Sequence, residues 1–473
     1  MLPRCFLAFA LLLLMLLPSR FTHAAPFELA TFTVDVTIPV GHPCMGGGIA
    51  PAGKVIQPLL AKGFVLTGAG RPFVVVCFDW CEIRGSAFED WRKGLAEECG
   101  TVPERVLITS THVHDAPVMD PEAEHLLHEA QKTGAWKNLA APDPKARIQL
   151  ASVCWPDFNR ICIQRVRVAV KEALAGKKRV THFGIGRAEV KEVASNRRYI
   201  TPEGQVLYNR MSRNTNPVAR DADAGTIDPW LRTLSFWDGE TPVCALHSYA
   251  VHPMSYYGGG EISIDFVGLA RERMQQEHPT VHQMYASGCS GNVTAGKWND
   301  GAPANRDVLA GKIHAAMQEA WKQTKKLPLE QVGFKAAKIA LGARNSIGFT
   351  EEALRHRISN DPGPFARAEA AMGLAWYERV KAGHQIDLPM LDFGGAAQLL
   401  LLPAESYVEF QLYAQELRPD SFVMVMGYGE CGPGYIPIER AWQERDGNLR
   451  DWAWVPTGSE DAMKAAIREV MLK

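Results

Sequence analysis

Residues 106–117 read Val-Leu-Ile-Thr-Ser-Thr-His-Val-His-Asp-Ala-Pro, and they constrain the fold more than any other stretch. The apolar run Val106–Ile108 reads as a buried strand, and Pro117 closes the segment. Alternate side chains of an extended chain share a face, so His112 and His114 are expected to point the same way at the strand's carboxyl end. α/β folds place their chemistry at such ends. Two imidazoles aimed into one cleft begin a metal site; the alternative is a pair of surface histidines.

The same motif, an apolar strand running into a turn with a polar group, recurs along the chain. Phe73–Phe78 reads as a strand, Ser86–Glu89 as a capping box opening a helix to about Cys99, and the histidine strand comes next. This is a β-α-β unit whose two strands should be parallel. Val243–Val251 leads to His252, and Val281–Ala286 enters the Gly-rich loop Ser287–Gly296 that carries Thr294. Ala396–Leu402 leads to Glu405, and Phe422–Met426 leads to the turn ending at Tyr435. Helices are expected at 157–175, 265–277, 305–323 and 350–382, the last broken at 361–364, and from Ser459 to the end.

This spread argues for an α/β fold: one large domain, 25–473, of mixed β-sheets flanked by helices, with the active site at strand ends. Residues 118–155 are polar, with a Pro-rich exit at 141–144, and read as an insertion or lid close to the site.

Formal charge is −1 over 473 residues, so no nucleic-acid partner is expected. Residues 1–24 read as a Sec-type signal peptide: Arg4, an apolar run from Phe6 to Leu17, and a small-x-small site at Thr22-His-Ala24. Cleavage there removes Arg4 and Arg20, taking the charge from −1 to −3. The expected location is secreted or periplasmic. No later stretch is long and apolar enough for a transmembrane segment. Ten cysteines, one of them in the signal, form no Cys-x-x-Cys pair and mostly read as small core residues.

Each candidate has a bland reading. His252, before Pro253, suits a structural histidine; Glu405 suits a helix dipole; Tyr435 suits packing. Thr294 suits a loop hydrogen-bonder at least as well as a nucleophile, and Asn292-Val-Thr294 also fits a glycosylation sequon inside a Gly-rich loop. His247 does not make a helical pair with His252 and reads as core. Asp265 reads as a helix cap or as a group orienting a ligand histidine.

Taken in order, the motifs resemble the catalytic domain of neutral (non-lysosomal) ceramidases and their bacterial relatives. Thr111-His-Val-His114 with Asp115-Ala-Pro117 is similar to that family's Thr-His-Thr-His-Ser-Gly-Pro. Ala250-Val-His-Pro-Met-Ser255, Leu402-Pro-Ala-Glu405, Gly434-Tyr435-Ile-Pro and Asn196-Arg197 resemble its other motifs, over roughly 30–445. The resemblance implies one zinc ion (Zn2+) held by His112, His252, Glu405 and Tyr435. It places His114 beside the reacting water, Arg197 against substrate and Thr294 where the family has a serine once taken as nucleophile. The implied reaction is hydrolysis of an N-acyl amide, sphingolipids among the candidate substrates.

Three departures stand out. The family's Gly-Asp-Val-Ser-Pro-Asn loop reads Gly291-Asn-Val-Thr-Ala-Gly296, Gly447 stands where a second tyrosine is expected, and the family's C-terminal β-sandwich is not expected in a chain ending at Lys473. Two other classes stay open: a binuclear amidohydrolase-type enzyme on a (β/α)8 barrel, and a non-catalytic secreted binding protein.

Overall fold

The computed structural model of the chain describes residues 26–136 and 151–472. The expected signal peptide at 1–24 and the Pro-rich exit at 141–144 lie outside the described residues. Three larger sheets carry the fold. In the first, Val106–Ser110 runs parallel to Phe73–Phe78, and Leu60–Thr67, Glu28–Asp35 and Lys178–Arg179 follow antiparallel. In the second, His282–Ser287 runs parallel to Thr241–Tyr249, followed by antiparallel Trp230–Asp238, His182–Glu189 and Lys325–Pro328. In the third, Phe422–Met426 runs parallel to Ala397–Leu401, followed by antiparallel Ile386–Phe393 and Gly333–Ile339. Each sheet is a run of antiparallel strands that ends in one parallel edge pair.

The side-chain period of two divides the core. Phe73, Val75 and Cys77 belong to an inner core, while Val74, Val76 and Phe78 face an outer one. Phe64, Phe236, Met284, Phe393 and Met424 join the inner core, so all three sheets give one face to it. Burying each such side chain contributes about 1.5–3 kcal/mol. Helices cover the other faces. Gly85–Cys99 and Pro156–Ala175 pack on the first sheet, Asp265–Glu277 and Ala304–Lys322 on the second, and Ser459–Leu472 on the third. Edge strands buried on both faces read as continuous apolar runs, which is why their ends could be read from sequence.

The expected parallel pairing across the helix after Phe78 is present. The helix starts at Gly85, ahead of the expected capping box, and Ser86 lies inside it. Distant carboxylates do the capping: Glu430 Oε1 accepts from the Gly85 amide at 2.9 Å and Glu122 Oε1 from the Ser86 amide at 2.8 Å. The helix at 350–382 breaks as expected, into Glu351–Asn360 and Pro364–Lys381. Among the described residues the sheets are open and mixed, which does not match a (β/α)8 barrel. No helix among them is long and apolar enough to cross a membrane. The nine cysteines of the described residues are buried free thiols.

Within 118–155, Val118–Met119 pairs with Glu82–Ile83, and the helix Pro121–Lys132 packs on Pro364–Lys381. This described part belongs to the body of the fold; residues 137–150 lie outside the described residues.

Candidate metal centre

The turns after the parallel edge pairs of all three sheets meet at one cavity of about 500 Å³. After Ser110 the chain leaves the sheet, and His112 adopts the left-handed backbone conformation with φ of 64°. A non-glycine residue there costs on the order of 1 kcal/mol, so the surroundings must enforce it. They do: the Thr111 amide donates to the Phe78 carbonyl at 2.7 Å and the His112 amide to that of Trp80 at 3.0 Å. His112 and His114 do line one cavity, their ring centroids 5.0 Å apart at 90°. The turn, rather than strand alternation, directs them there.

Backbone carbonyls orient two imidazoles. His112 Nδ1 lies 3.0 Å from the Cys81 oxygen and His252 Nδ1 3.0 Å from the Ser290 oxygen. A carbonyl only accepts, so each Nδ1 carries the proton and each Nε2 lone pair faces the cavity. The two Nε2 atoms are 3.1 Å apart. Glu405 Oε2 lies 3.2 Å from His112 Nε2 and 3.4 Å from His252 Nε2. All three side chains are buried, and Glu405 Oε2 has no hydrogen-bond partner among the described residues. A tetrahedral ion with bonds of about 2.0–2.1 Å needs ligand atoms about 3.3 Å apart. The triangle has those edges, so these residues fit a small divalent cation.

The electrostatics around the triangle are divided. Burial opposes charge on His112, but Glu405 and Glu82 outweigh it and raise its pKa. Burial, then the charges of Arg197, His112 and His114, hold His252 well below the usual histidine range. His114 is likewise held down by burial, then by His112 and Arg197. Neither of its ring nitrogens has a hydrogen-bond partner among the described residues, and its ring stacks on Tyr257 at 5.8 Å.

Tyr435 arrives through strand pairing: Glu405 and Tyr435 stand opposite each other in a short parallel pair. Burial raises the pKa of its phenol, and Arg197 opposes that rise. Arg197 follows Ser195–Asn196, which pairs with Val293–Thr294. Its Nη1 donates to the Tyr435 hydroxyl at 2.8 Å, and its Nη2 lies 3.4 Å from His252 Nε2. His112, His114, His252, Arg197, Glu405 and Tyr435 therefore share one cavity.

Thr294 does not line that cavity. Its buried hydroxyl donates to the Arg210 carbonyl at 3.0 Å and accepts from the Gly296 amide at 3.2 Å. Asn292 is equally committed: Nδ2 donates to Glu409 at 2.8 Å, and Oδ1 accepts from the Val408 amide at 2.9 Å. His247 is core, bonded to Thr233 and Gln283. Asp265 accepts from the Ser255 and Phe266 amides and forms no bond to His252. Gly447 does line the cavity, and a Cβ there would meet open space.

Sequence reasoning missed a further layer. Tyr428 stacks on His112 at 4.3 Å, its hydroxyl 2.7 Å from Ser290 Oγ. Glu82 Oε1 lies 4.0 Å from His112 Nδ1, and Arg84 Nε donates to the other Glu82 oxygen at 2.5 Å. Burial lifts Glu82 to about 7 against the pull of Arg84. The Arg84 guanidinium contacts both the Trp452 and Trp454 rings, 4.9 and 4.6 Å from their centroids. The signal existed: Cys81-Glu-Ile-Arg84 is one more polar turn after an apolar strand.

No family model and no curated protein matches the chain. Its structure is similar to the neutral ceramidase from Pseudomonas aeruginosa, with a TM-score of 0.66 at 16% identity, covering 94% of this chain and 74% of that one. It is also similar to a ceramidase complexed with C2, with a TM-score of 0.64 at 16% identity, covering 94% and 75%. The fold is thus that of the neutral ceramidases.

Proposed function

We propose that the chain is a zinc-dependent hydrolase of an N-acyl amide bond, with His112, His252, Glu405 and Tyr435 as the metal ligands. One observation carries this reading. Two imidazole nitrogens and a carboxylate oxygen, buried at the end of a cavity, form a triangle with edges of 3.1–3.4 Å. The ceramidase-like fold supports the same reading.

Zinc bound there would supply Lewis acidity, polarising the amide carbonyl and acidifying water to a pKa near 7. His114, kept neutral by burial and with both nitrogens free, takes the proton of the attacking water and returns it to the leaving nitrogen. Arg197 stays cationic and faces Tyr435, where it stabilises the oxygen that gains charge. Met45, Met211, Met254 and Phe365 line the cavity and offer apolar, adaptable contact to an acyl chain. Thr294 holds the Gly-rich loop to Arg210 and is left outside the proton path. Residues 1–24 read as an export signal, so we infer a secreted or periplasmic enzyme, checked by N-terminal sequencing of exported protein.

The test is metal analysis of the purified chain beside His112→Ala and His252→Ala, with the zinc-loaded protein assayed on amides from ceramides to N-acyl amino acids. One zinc per chain, lost in each variant with at least about a thousandfold loss of turnover, is the expected result. Stoichiometric zinc in both variants would refute the ligand assignment. Two ions per chain would favour a binuclear enzyme. Full zinc occupancy with no hydrolysis of any amide would make the chain a binding protein.

A further inference from the structure

The charged groups around the metal cavity sort into pairs with one left over. Glu369 is engaged by Arg357 at 2.7 Å, and Asp451 by Arg450 at 3.0 Å. Glu405 belongs to the metal triangle, and Arg197 is buried against Tyr435. Arg213 is exposed, lines the same cavity, and has no ion pair or side-chain hydrogen bond among the described residues.

Its position is built. The Ser212 carbonyl accepts from Asn299 Nδ2 at 2.8 Å, and the Asn214 amide donates to the Asn299 carbonyl at 2.8 Å. The side-chain stem packs on Gly301, where a Cβ would come within 2.8 Å of Arg213 Cδ. The backbone on both sides is therefore pinned, and the guanidinium is presented to the cavity. Tyr257, stacked on His114, feels the charges of both Arg197 and Arg213 against the rise that burial imposes. Arg213 thus shares with Tyr257 and His114 one side of the cavity.

An unpaired guanidinium on a pinned backbone suits a planar anion, which it can grip through paired N–H groups. A fatty acyl chain has no charge near its carbonyl, so the anion belongs to the amine half. Resting on the hydrolase reading above, we propose that Arg213 binds a carboxylate on the amine half of the substrate. The preferred substrates are then N-acyl amino acids rather than neutral amides of the ceramide type.

The experiment compares N-dodecanoylglycine with N-dodecanoylethanolamine, equal in chain length but differing in charge. kcat/KM is measured on zinc-loaded wild type, Arg213→Gln and Arg213→Lys. Affinities of both compounds for the metal-free chain are measured by calorimetry. The expected result is a wild-type preference for the glycine conjugate of about tenfold or more, erased in Arg213→Gln through KM and partly kept in Arg213→Lys. Equal preference in wild type and Arg213→Gln, or a wild-type preference for the ethanolamide, would overturn the proposal. If neither amide is cleaved but Arg213→Gln erases the affinity difference, carboxylate recognition stands and the hydrolase reading fails.

Discussion

Two buried turns leave edge strands that lie side by side, and they use their polar groups in opposite ways. In the turn 111–117, both nitrogens of His114 lack partners among the described residues, and His112 turns its Nε2 towards a carboxylate and a second imidazole. In the turn 287–296, each polar side chain is answered by protein. Ser287 Oγ donates to the Thr111 carbonyl at 2.7 Å, Ser290 Oγ meets the Tyr428 hydroxyl, and Asn292 and Thr294 are fully engaged. A buried polar atom without a partner costs about 1–3 kcal/mol. Among the described residues several such atoms sit together in the first turn and none in its neighbour, which suits the first to a ligand and the second to a frame.

Substitutions within these two turns can break that contrast. The largest effect on turnover is expected from His114→Asn, which removes the free imidazole but no metal ligand: kcat should fall about a hundredfold with zinc content unchanged. Loss of zinc in that variant would instead make His114 part of the metal site. Next comes Asp115, which burial lifts to about 7 against the Gly258 amide and Arg306. A carboxyl raised in the folded state stabilises fully below its unfolded pKa near 4, and that contribution disappears as pH rises through 7. An asparagine side chain in its place cannot ionise, so urea unfolding should show Asp115→Asn gaining about 4 kcal/mol on wild type between pH 4 and pH 8. A stability difference that does not change with pH would refute it. The smallest effect belongs to the frame. Thr294→Val should cost about 1 kcal/mol of stability and change kcat by less than about threefold. A hundredfold fall in kcat, with stability and zinc retained, would move Thr294 from frame to chemistry.

The strand ends were legible in the sequence because edge strands buried on both faces leave long apolar runs that stop abruptly at polar turns. That pattern led to His112, His252, Glu405 and Tyr435, which the fold gathers at one cavity. Local periodicity carries no information about partners far along the chain. The capping of Gly85 and Ser86 by Glu430 and Glu122 was therefore invisible, and so was the approach of Glu82 to His112. The left-handed turn at His112 was hidden for a related reason: a non-glycine residue holds that conformation only because Phe78 and Trp80 fix the amides around it. Thr294 kept its place in the loop order while its hydroxyl turned to Arg210, a partner no motif names.

The distance along the chain between the facing imidazoles has a kinetic meaning. His112 and His252 are 140 positions apart, and the carboxylate facing them comes from the turn that follows the third sheet. Contacts that close such long loops form late, because closure entropy must be met before any pairing rewards it. The proposed ion therefore cannot seed folding. It would act as a clasp, fastening three layers at one point after they have docked, and a chain still growing from its N-terminus lacks the triangle until Glu405 has been made.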